Sequence, residues 1–204
     1  MKYLVAIPCM DMMHTQFVCS LVGMTLTGDT EYYFVQNSLI YDARNQVAKK
    51  VIESGIDRVL WFDSDMTFAR DIAIRLDARL NEGYEYVSGL YMTRKKPYEP
   101  CLKKTIDTLH ATAELYLDYP RGQIFPVAAT GFGGCMMTGD LIRRVAEKYG
   151  LPFSPILGFG EDISFCVKAA SIGAKIYCDS SIRLGHIGFT EIGEGTYLET
   201  VRDE

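Results

Sequence analysis

Through its first ninety residues this chain alternates short apolar runs with longer stretches whose apolar residues recur at helical spacing. No other feature of the sequence limits the fold as strongly. Residues 3–7 read as a strand ending at Pro8, and residues 11–25 carry Phe17, Leu21 and Met24 at the spacing of a helix. Tyr32-Tyr33-Phe34-Val35 is aromatic and β-branched, the composition of a second strand. From Tyr41 to Ser54, Ala43, Val47 and Val51 form one stripe, and Gly55 supplies a helix stop. Arg58-Val59-Leu60-Trp61-Phe62 is the kind of apolar run that a parallel sheet buries on both faces. A helix over 71–81 and a strand over 86–90 continue the pattern. Strands that alternate with helices imply right-handed crossovers and a mainly parallel central sheet flanked by helices, so the expected fold class is α/β. Ligands of such sheets bind beyond the carboxyl ends of the strands. The segments to watch are therefore Pro8 to Asp11, Gln36 to Asn37, Asp63 to Asp65 and Tyr91 to Thr93.

The second half is less regular. Residues 93–126 hold four of the seven prolines and no clean period, which predicts an irregular excursion with room for a hairpin. Residues 133–138 read as a strand, 140–149 as a helix closed by Gly150, and 161–172 as a helix stopped by Gly173. Residues 174–178 and 182–184 read as two short strands. A length of 204 residues suits one domain with its own core.

Composition narrows the function classes. The longest apolar runs fall well short of the ~20 residues that span a bilayer. The N-terminus lacks the apolar stretch of a signal peptide, which predicts a cytoplasmic protein without a transmembrane segment. A formal net charge of −5 argues against nucleic acid as the main partner. Arg94-Lys95-Lys96 is the one basic triplet, either a solvated loop or a cation patch beside a phosphate. Six cysteines show no metal-site spacing and sit mostly among apolar neighbours, as free buried thiols do in a reducing compartment.

Five constellations carry possible chemistry. Asp63-Ser64-Asp65 follows the most hydrophobic strand. With 14 aspartates in 204 residues about one such pair arises by chance, so its placement has to carry the argument. Two carboxylates at the end of a buried strand repel each other unless a cation sits between them. Hard cations such as Mg2+ or Mn2+ take oxygen ligands and complete their shell with substrate phosphates. The alternative is a turn whose acids cap a following helix. Glu161 and Asp162 follow Gly158-Phe159-Gly160 and open a helix, either as capping acids or as a general base with its neighbour. His186 lies between Gly185 and Gly188 after a late strand, within reach of an ion held by Asp65. Arg44, at the start of the second long helix, suits a phosphate or a hold on Asp63. Thr130-Gly131-Phe132-Gly133-Gly134 leaves bare backbone for a sugar or diphosphate, or forms only a tight turn.

Taken in order, Ala43-Arg44-Asn45, Leu60-Trp61-Phe62-Asp63-Ser64-Asp65-Met66, Thr130-Gly131-Phe132-Gly133, Gly160-Glu161-Asp162-Ile163-Ser164-Phe165-Cys166 and Gly185-His186-Ile187-Gly188 resemble the GT-A glycosyltransferases. The small family-2-like bacterial and phage members are the nearest in pattern. The resemblance runs from residue 3 to about residue 188 and implies a single Rossmann-like, GT-A-like domain over 1–204. Its nucleotide-binding half would cover about 1–92, its acceptor and catalytic half about 93–190, and a tail the remainder. The resemblance implies a nucleotide-diphosphate sugar, UDP- or GDP-linked, as donor and Mn2+ or Mg2+ as cofactor. Asp65 and His186 would bind the metal directly, with Asp63 at the ribose or the metal's own shell. Pro8, Cys9 and Asp11 would line the base and ribose pocket near Arg44, and Ser64 and Gly131 would complete the donor site. Asp162 would be the general base of an inverting enzyme, and Glu161 would place sugar or acceptor hydroxyls. The acceptor, whether glycan, protein or small molecule, would be bound by residues 93–126, by the tail or by another subunit of a homo-oligomer. The stretch Pro8-Cys9-Met10-Asp11 departs from the family's usual loop.

Two other classes compete. A nucleotidyltransferase on a similar sheet would carry a Gly-rich basic loop after the first strand, and Pro8 to Met13 contains no Gly, Lys or Arg. A non-catalytic carbohydrate- or nucleotide-sugar-binding protein would have no need of Asp63, Asp65, Asp162 and His186 together.

Overall fold

The structure is a computed structural model that describes residues 1–26, 28–188 and 191–200. Its elements run β1 (Lys2–Cys9), α1 (Thr15–Gly23), β2 (Asp29–Gln36), α2 (Ile40–Ser54), β3 (Arg58–Phe62), β4 (Met66–Phe68), α3 (Ile72–Asn81) and β5 (Tyr86–Leu90). They continue with β6 (Leu102–Asp107), β7 (Thr112–Leu115), β8 (Ile124–Val127), β9 (Ala129–Thr130), β10 (Gly134–Thr138), α4 (Gly139–Tyr149), α5 (Glu161–Ala170), β11 (Ile176–Ile187), β12 (Glu191–Ile192) and α6 (Glu194–Thr200). Among the described residues no helix is long and apolar enough to cross a membrane.

The central sheet has the order β12-β11-β5-β10-β3-β1-β2, with β4 and β8 also paired to β11. It is mixed, which corrects the expectation of a mostly parallel sheet. The β1–β2, β1–β3 and β5–β11 pairings are parallel, but β10 runs antiparallel between β3 and β5. β4, β8 and β12 add antiparallel pairs on β11. The reversal of β10 has a consequence for the site. Its first residue, Gly134, lies opposite Phe62, the last residue of β3. The turn before β10 is thereby delivered to the carboxyl end of β3, beside Asp63.

Both faces of the sheet are covered, and strand period 2 sorts the side chains between them. Leu4 and Ala6 of β1, with Val59 and Trp61 of β3, pack with α2, α4 and α5 through Val47, Val51, Leu141, Ile142 and Phe165. Val5 and Ile7, with Leu60 and Phe62, pack with α1 and α3 through Phe17, Leu21, Leu76 and Leu80. This two-sided burial is why β3 is apolar at consecutive positions.

Local boundaries differ from the sequence reading at several points. The first helix begins at Thr15, and His14 precedes it as the cap residue. After Asp63-Ser64-Asp65 the chain makes the short strand β4, which the sequence reading lacks, before α3 begins at Ile72 within the expected 71–81. The two late strands are one twelve-residue strand, β11, with a register shift between Asp179 and Arg183. The region 93–126 contains the hairpin β6–β7, which joins β9 in a small second sheet, and β8.

Candidate active site at the carboxyl ends of β1 and β3

A crevice opens between β1 and β3. The β1–β2 ladder runs to Cys9, opposite Gln36, but the β1–β3 ladder stops at Ala6, opposite Trp61. From β1 the chain crosses through α1 to β2 on one side. From β3 it departs the other way, through β4 and α3 to β5. Such a reversal leaves the strand ends uncovered and is where open α/β sheets bind ligands. Pro8 has no backbone N–H, so it loses nothing by standing beyond the β3 ladder. A cavity of about 660 Å3 fills the crevice, lined by Pro8, Cys9, Asn37, Ser38, Arg44, Asp63, Ser64, Asp65, Arg94, Glu161 and His186 among others. Asn37 takes φ 51°, a left-handed conformation asparagine tolerates, and donates its N–H to the Cys9 carbonyl at 3.2 Å. Asp11 is exposed and is not among the residues lining this cavity.

Arg44 organises the floor. It is 2% exposed, and its guanidinium lies over the rings of Phe132 (4.8 Å) and Trp61 (5.4 Å). Nη2 donates to Asp63 Oδ1 at 2.8 Å and Nε to Glu161 Oε1 at 3.1 Å. Burial on its own would ease the proton off, but Asp63 and Glu161 outweigh it and raise the pKa. One arginine thus holds two carboxylates from different elements in fixed positions. Asp63 is turned toward Arg44, so its oxygen is committed to a protein cation. The next residue, Asn45, accepts the Phe153 N–H at 2.9 Å. Lys168 donates to the carbonyls of Leu151, Pro152 and Ser154. Together they fix the loop that leads to α5, and with it the placing of Glu161 and Asp162.

Asp65 and His186 meet through β-pairing. β4 runs antiparallel to β11 with His186 opposite Met66, and the Ile187 N–H donates to the Asp65 carbonyl at 2.7 Å. His186 Nδ1 lies 2.7 Å from the Met92 carbonyl oxygen. A carbonyl only accepts, so Nδ1 carries a hydrogen, and Nε2 is the ring nitrogen left to face Asp65 or a cation. Nε2 is 3.6 Å from Asp65 Oδ2. Two ligands about 2.1 Å from one ion lie roughly 3.0–3.6 Å apart at angles of 90–120°. Asp65 Oδ1 is buried without a hydrogen-bond partner. An orphaned carboxylate oxygen beside an imidazole whose Nε2 is oriented toward it suits a divalent cation. Among the described residues no group of three or more His, Cys, Asp and Glu could hold a metal, so the protein would supply this pair alone. Arg94 Nη1 now contacts Asp65 Oδ2 at 2.7 Å. Burial alone would raise the Asp65 pKa, but His186 and Arg94 outweigh it and hold it below the ordinary value.

A second cavity, of about 380 Å3, adjoins the first at Arg44, Asp63, Glu161 and His186. Asp162, Gly131, Tyr91, Glu99 and Lys103 complete its wall. Burial, and then the neighbouring Glu161, push the Asp162 carboxyl above its ordinary pKa. Gly131 lines this cavity, but the room over the glycine turn belongs first to Tyr91. A Cβ at Gly131 would overlap the Tyr91 hydroxyl, which accepts the Gly133 N–H at 3.0 Å. Gly185 is small for a similar reason, since a Cβ there would meet Thr67 and Glu191. Burial raises the pKa of Cys9 and takes Cys101 to about 12, so both stand as thiols and neither is a nucleophile at neutral pH.

Of the residues singled out from the sequence, Arg44, Asp63, Glu161 and His186 line both cavities, Pro8, Cys9 and Asp65 the larger, and Asp162 the smaller. Ser64 and Gly131 each line one of them. Tyr91, Arg94, Glu99 and Lys103 were not assigned to the site. The strand-end segment Tyr91 to Thr93 and the basic triplet hinted at Tyr91 and Arg94, and no motif pointed to Glu99 or Lys103.

No protein-family model matches the chain, and no curated protein does. Among solved structures, the crystal structure of A197 from STIV matches with a TM-score of 0.68 and 19% identity, over 92% of this chain and 86% of that one. At that identity the likeness carries the fold.

Proposed function

We propose that this chain is a divalent-metal-dependent glycosyltransferase of the GT-A type that takes its sugar from a UDP- or GDP-linked donor. The observation that carries the reading is the Asp65–His186 pair at the mouth of the β1–β3 crevice, with Nε2 facing a carboxylate whose other oxygen has no hydrogen-bond partner. The order of motifs along the sequence supports it. The 660 Å3 cavity is the donor nucleotide site, with Pro8, Cys9 and Asn37 around the base and Asp63 beside the ribose. The adjoining 380 Å3 cavity receives the sugar and the acceptor.

Bound at Asp65 and His186, Mn2+ or Mg2+ supplies positive charge for the diphosphate of the donor. Within the chain, Asp162 is the general base. An acceptor hydroxyl oxygen bonds to the anomeric carbon while the bond to the diphosphate oxygen breaks. The hydroxyl proton passes to the Asp162 carboxylate, and the electron pair leaves with the nucleoside diphosphate. Burial makes Asp162 a stronger base than an exposed aspartate, and Arg44 holds Glu161 where it positions hydroxyls.

Hydrolysis with water as acceptor tests this without knowledge of the natural acceptor. UDP- and GDP-sugars are incubated with the protein, with and without Mn2+, and the released nucleoside diphosphate is measured. The expected result is Mn2+-dependent release from one donor class, lost in Asp65→Asn and His186→Ala. Release from no donor, or release indifferent to both substitutions, contradicts the reading.

A further inference from the structure

Arg94 contacts an oxygen that the proposed cation also needs. Its Nη1 lies 2.7 Å from Asp65 Oδ2, the same oxygen that lies 3.6 Å from His186 Nε2. Asp65 is well shielded, its side chain 17% exposed, so its charge calls for a counter-cation close by. In this arrangement the guanidinium is that cation. Arg94 is itself 52% exposed and stands on the segment that follows β5. It lines the 660 Å3 crevice and also a neighbouring cavity of about 680 Å3, where Lys95, Lys96 and His14 stand. A surface arginine on a connecting segment has freedom to turn that the Arg44 clamp, buried between two rings, lacks.

We infer that Arg94 is an exchangeable counter-ion: it neutralises Asp65 when the site is empty of metal and transfers to the phosphoanhydride of the nucleotide when the divalent ion enters. The inference rests on the metal-site reading above. Two cations repel each other at one carboxylate, so the ion must displace the guanidinium or bind weakly beside it. A displaced arginine at the edge of the crevice finds its best partner in a phosphate, which it meets with two parallel N–H bonds. Metal alone therefore pays for breaking the Arg94–Asp65 pair, while metal with a nucleoside diphosphate restores an anionic partner to Arg94. The two ligands bind cooperatively, and by linkage each raises the affinity of the other by the same factor.

Mn2+ binding, followed by the loss of the free-ion electron paramagnetic resonance signal, tests this with no turnover required. The titration is run with and without UDP and GDP on the wild type, Arg94→Gln and Arg94→Lys. The wild type should bind Mn2+ about tenfold more tightly with the preferred nucleotide than without it. In Arg94→Gln, Mn2+ alone should bind several-fold more tightly than to the wild type, and the nucleotide enhancement should shrink to less than about threefold. Arg94→Lys keeps the charge and should retain most of the coupling. If Arg94→Gln leaves both the affinity for Mn2+ alone and the enhancement unchanged, Arg94 is no counter-ion and the inference fails while the metal site stands. A wild type that takes up no Mn2+ with or without either nucleotide overturns the metal-site reading, and this inference with it.

Discussion

Neighbours assign different behaviour to two shielded carboxyls: Asp65 and Asp162 carry the same side chain and are shifted in opposite directions. Asp65 is pulled down past its burial penalty by His186 and Arg94. Asp162 is pushed up by burial and by Glu161. The raised group has a testable sign. A carboxyl whose folded pKa exceeds the unfolded value of 3.8 favours the native state below that value, and this advantage is lost as pH rises through the folded pKa. At neutral pH ionised Asp162 is therefore a burden on the fold. Asp162→Asn should unfold at equal or higher denaturant concentration than the wild type at pH 7. The gain should vanish as pH is lowered toward the ordinary aspartate value. The same substitution should abolish sugar transfer while nucleotide-sugar binding, measured by calorimetry, stays within about twofold. Near-normal transfer, or a marked loss of stability at pH 7, contradicts the role and the electrostatics respectively. Both aspartates were legible as candidates because each stands at an element boundary in the sequence. Arg94 was legible only as part of a basic triplet, since its reach to Asp65 depends on how an aperiodic, proline-rich segment folds back.

At the scale of elements, the strands and helices of the first half follow from local pattern, and β10 shows where pattern stops. Gly134 to Thr138 is an apolar run whose composition is the same whether it runs with or against its neighbours. Its direction is set by tertiary connection, through β6, β7 and β9, and so the sheet is mixed where a parallel one was expected. That antiparallel direction is what brings the glycine turn 130–134 to the end of β3. The turn is built around Tyr91, which predicts a coupled pair of substitutions. Gly131→Ala should destabilise by about 1–3 kcal/mol in chemical denaturation, because its Cβ overlaps the Tyr91 hydroxyl. Tyr91→Phe removes that hydroxyl, so the double variant should be more stable than the sum of the single effects indicates. Simple additivity would show that the glycine is small for another reason. His186 follows similar logic. Its glycine-flanked setting is visible in sequence, but its contact with Asp65 exists only because β11 runs on past its register shift to pair with β4.

Across the whole molecule, a two-faced apolar sheet supplies rigidity, and the candidate site lies at the carboxyl ends of its strands, where β1 and β3 part. The chemical groups come from four places in the fold: Asp65 from the turn before β4, His186 from β11, Arg44 from α2, and Glu161 and Asp162 from α5. The larger crevice and the smaller cavity beside it share Arg44, Asp63, Glu161 and His186, so under the proposed function a nucleotide in one would place its attached sugar toward Asp162 in the other. The central claim is that this crevice binds a nucleoside diphosphate through a metal held by Asp65 and His186. Calorimetric titration of UDP and of GDP into the protein, with Mn2+ and then with excess chelator, tests it most directly. The account predicts binding of one nucleotide that weakens at least about tenfold without metal, and in which Asp65→Asn and His186→Ala each remove the metal's contribution. Binding of equal strength with and without Mn2+, or no binding of either nucleotide, would contradict it.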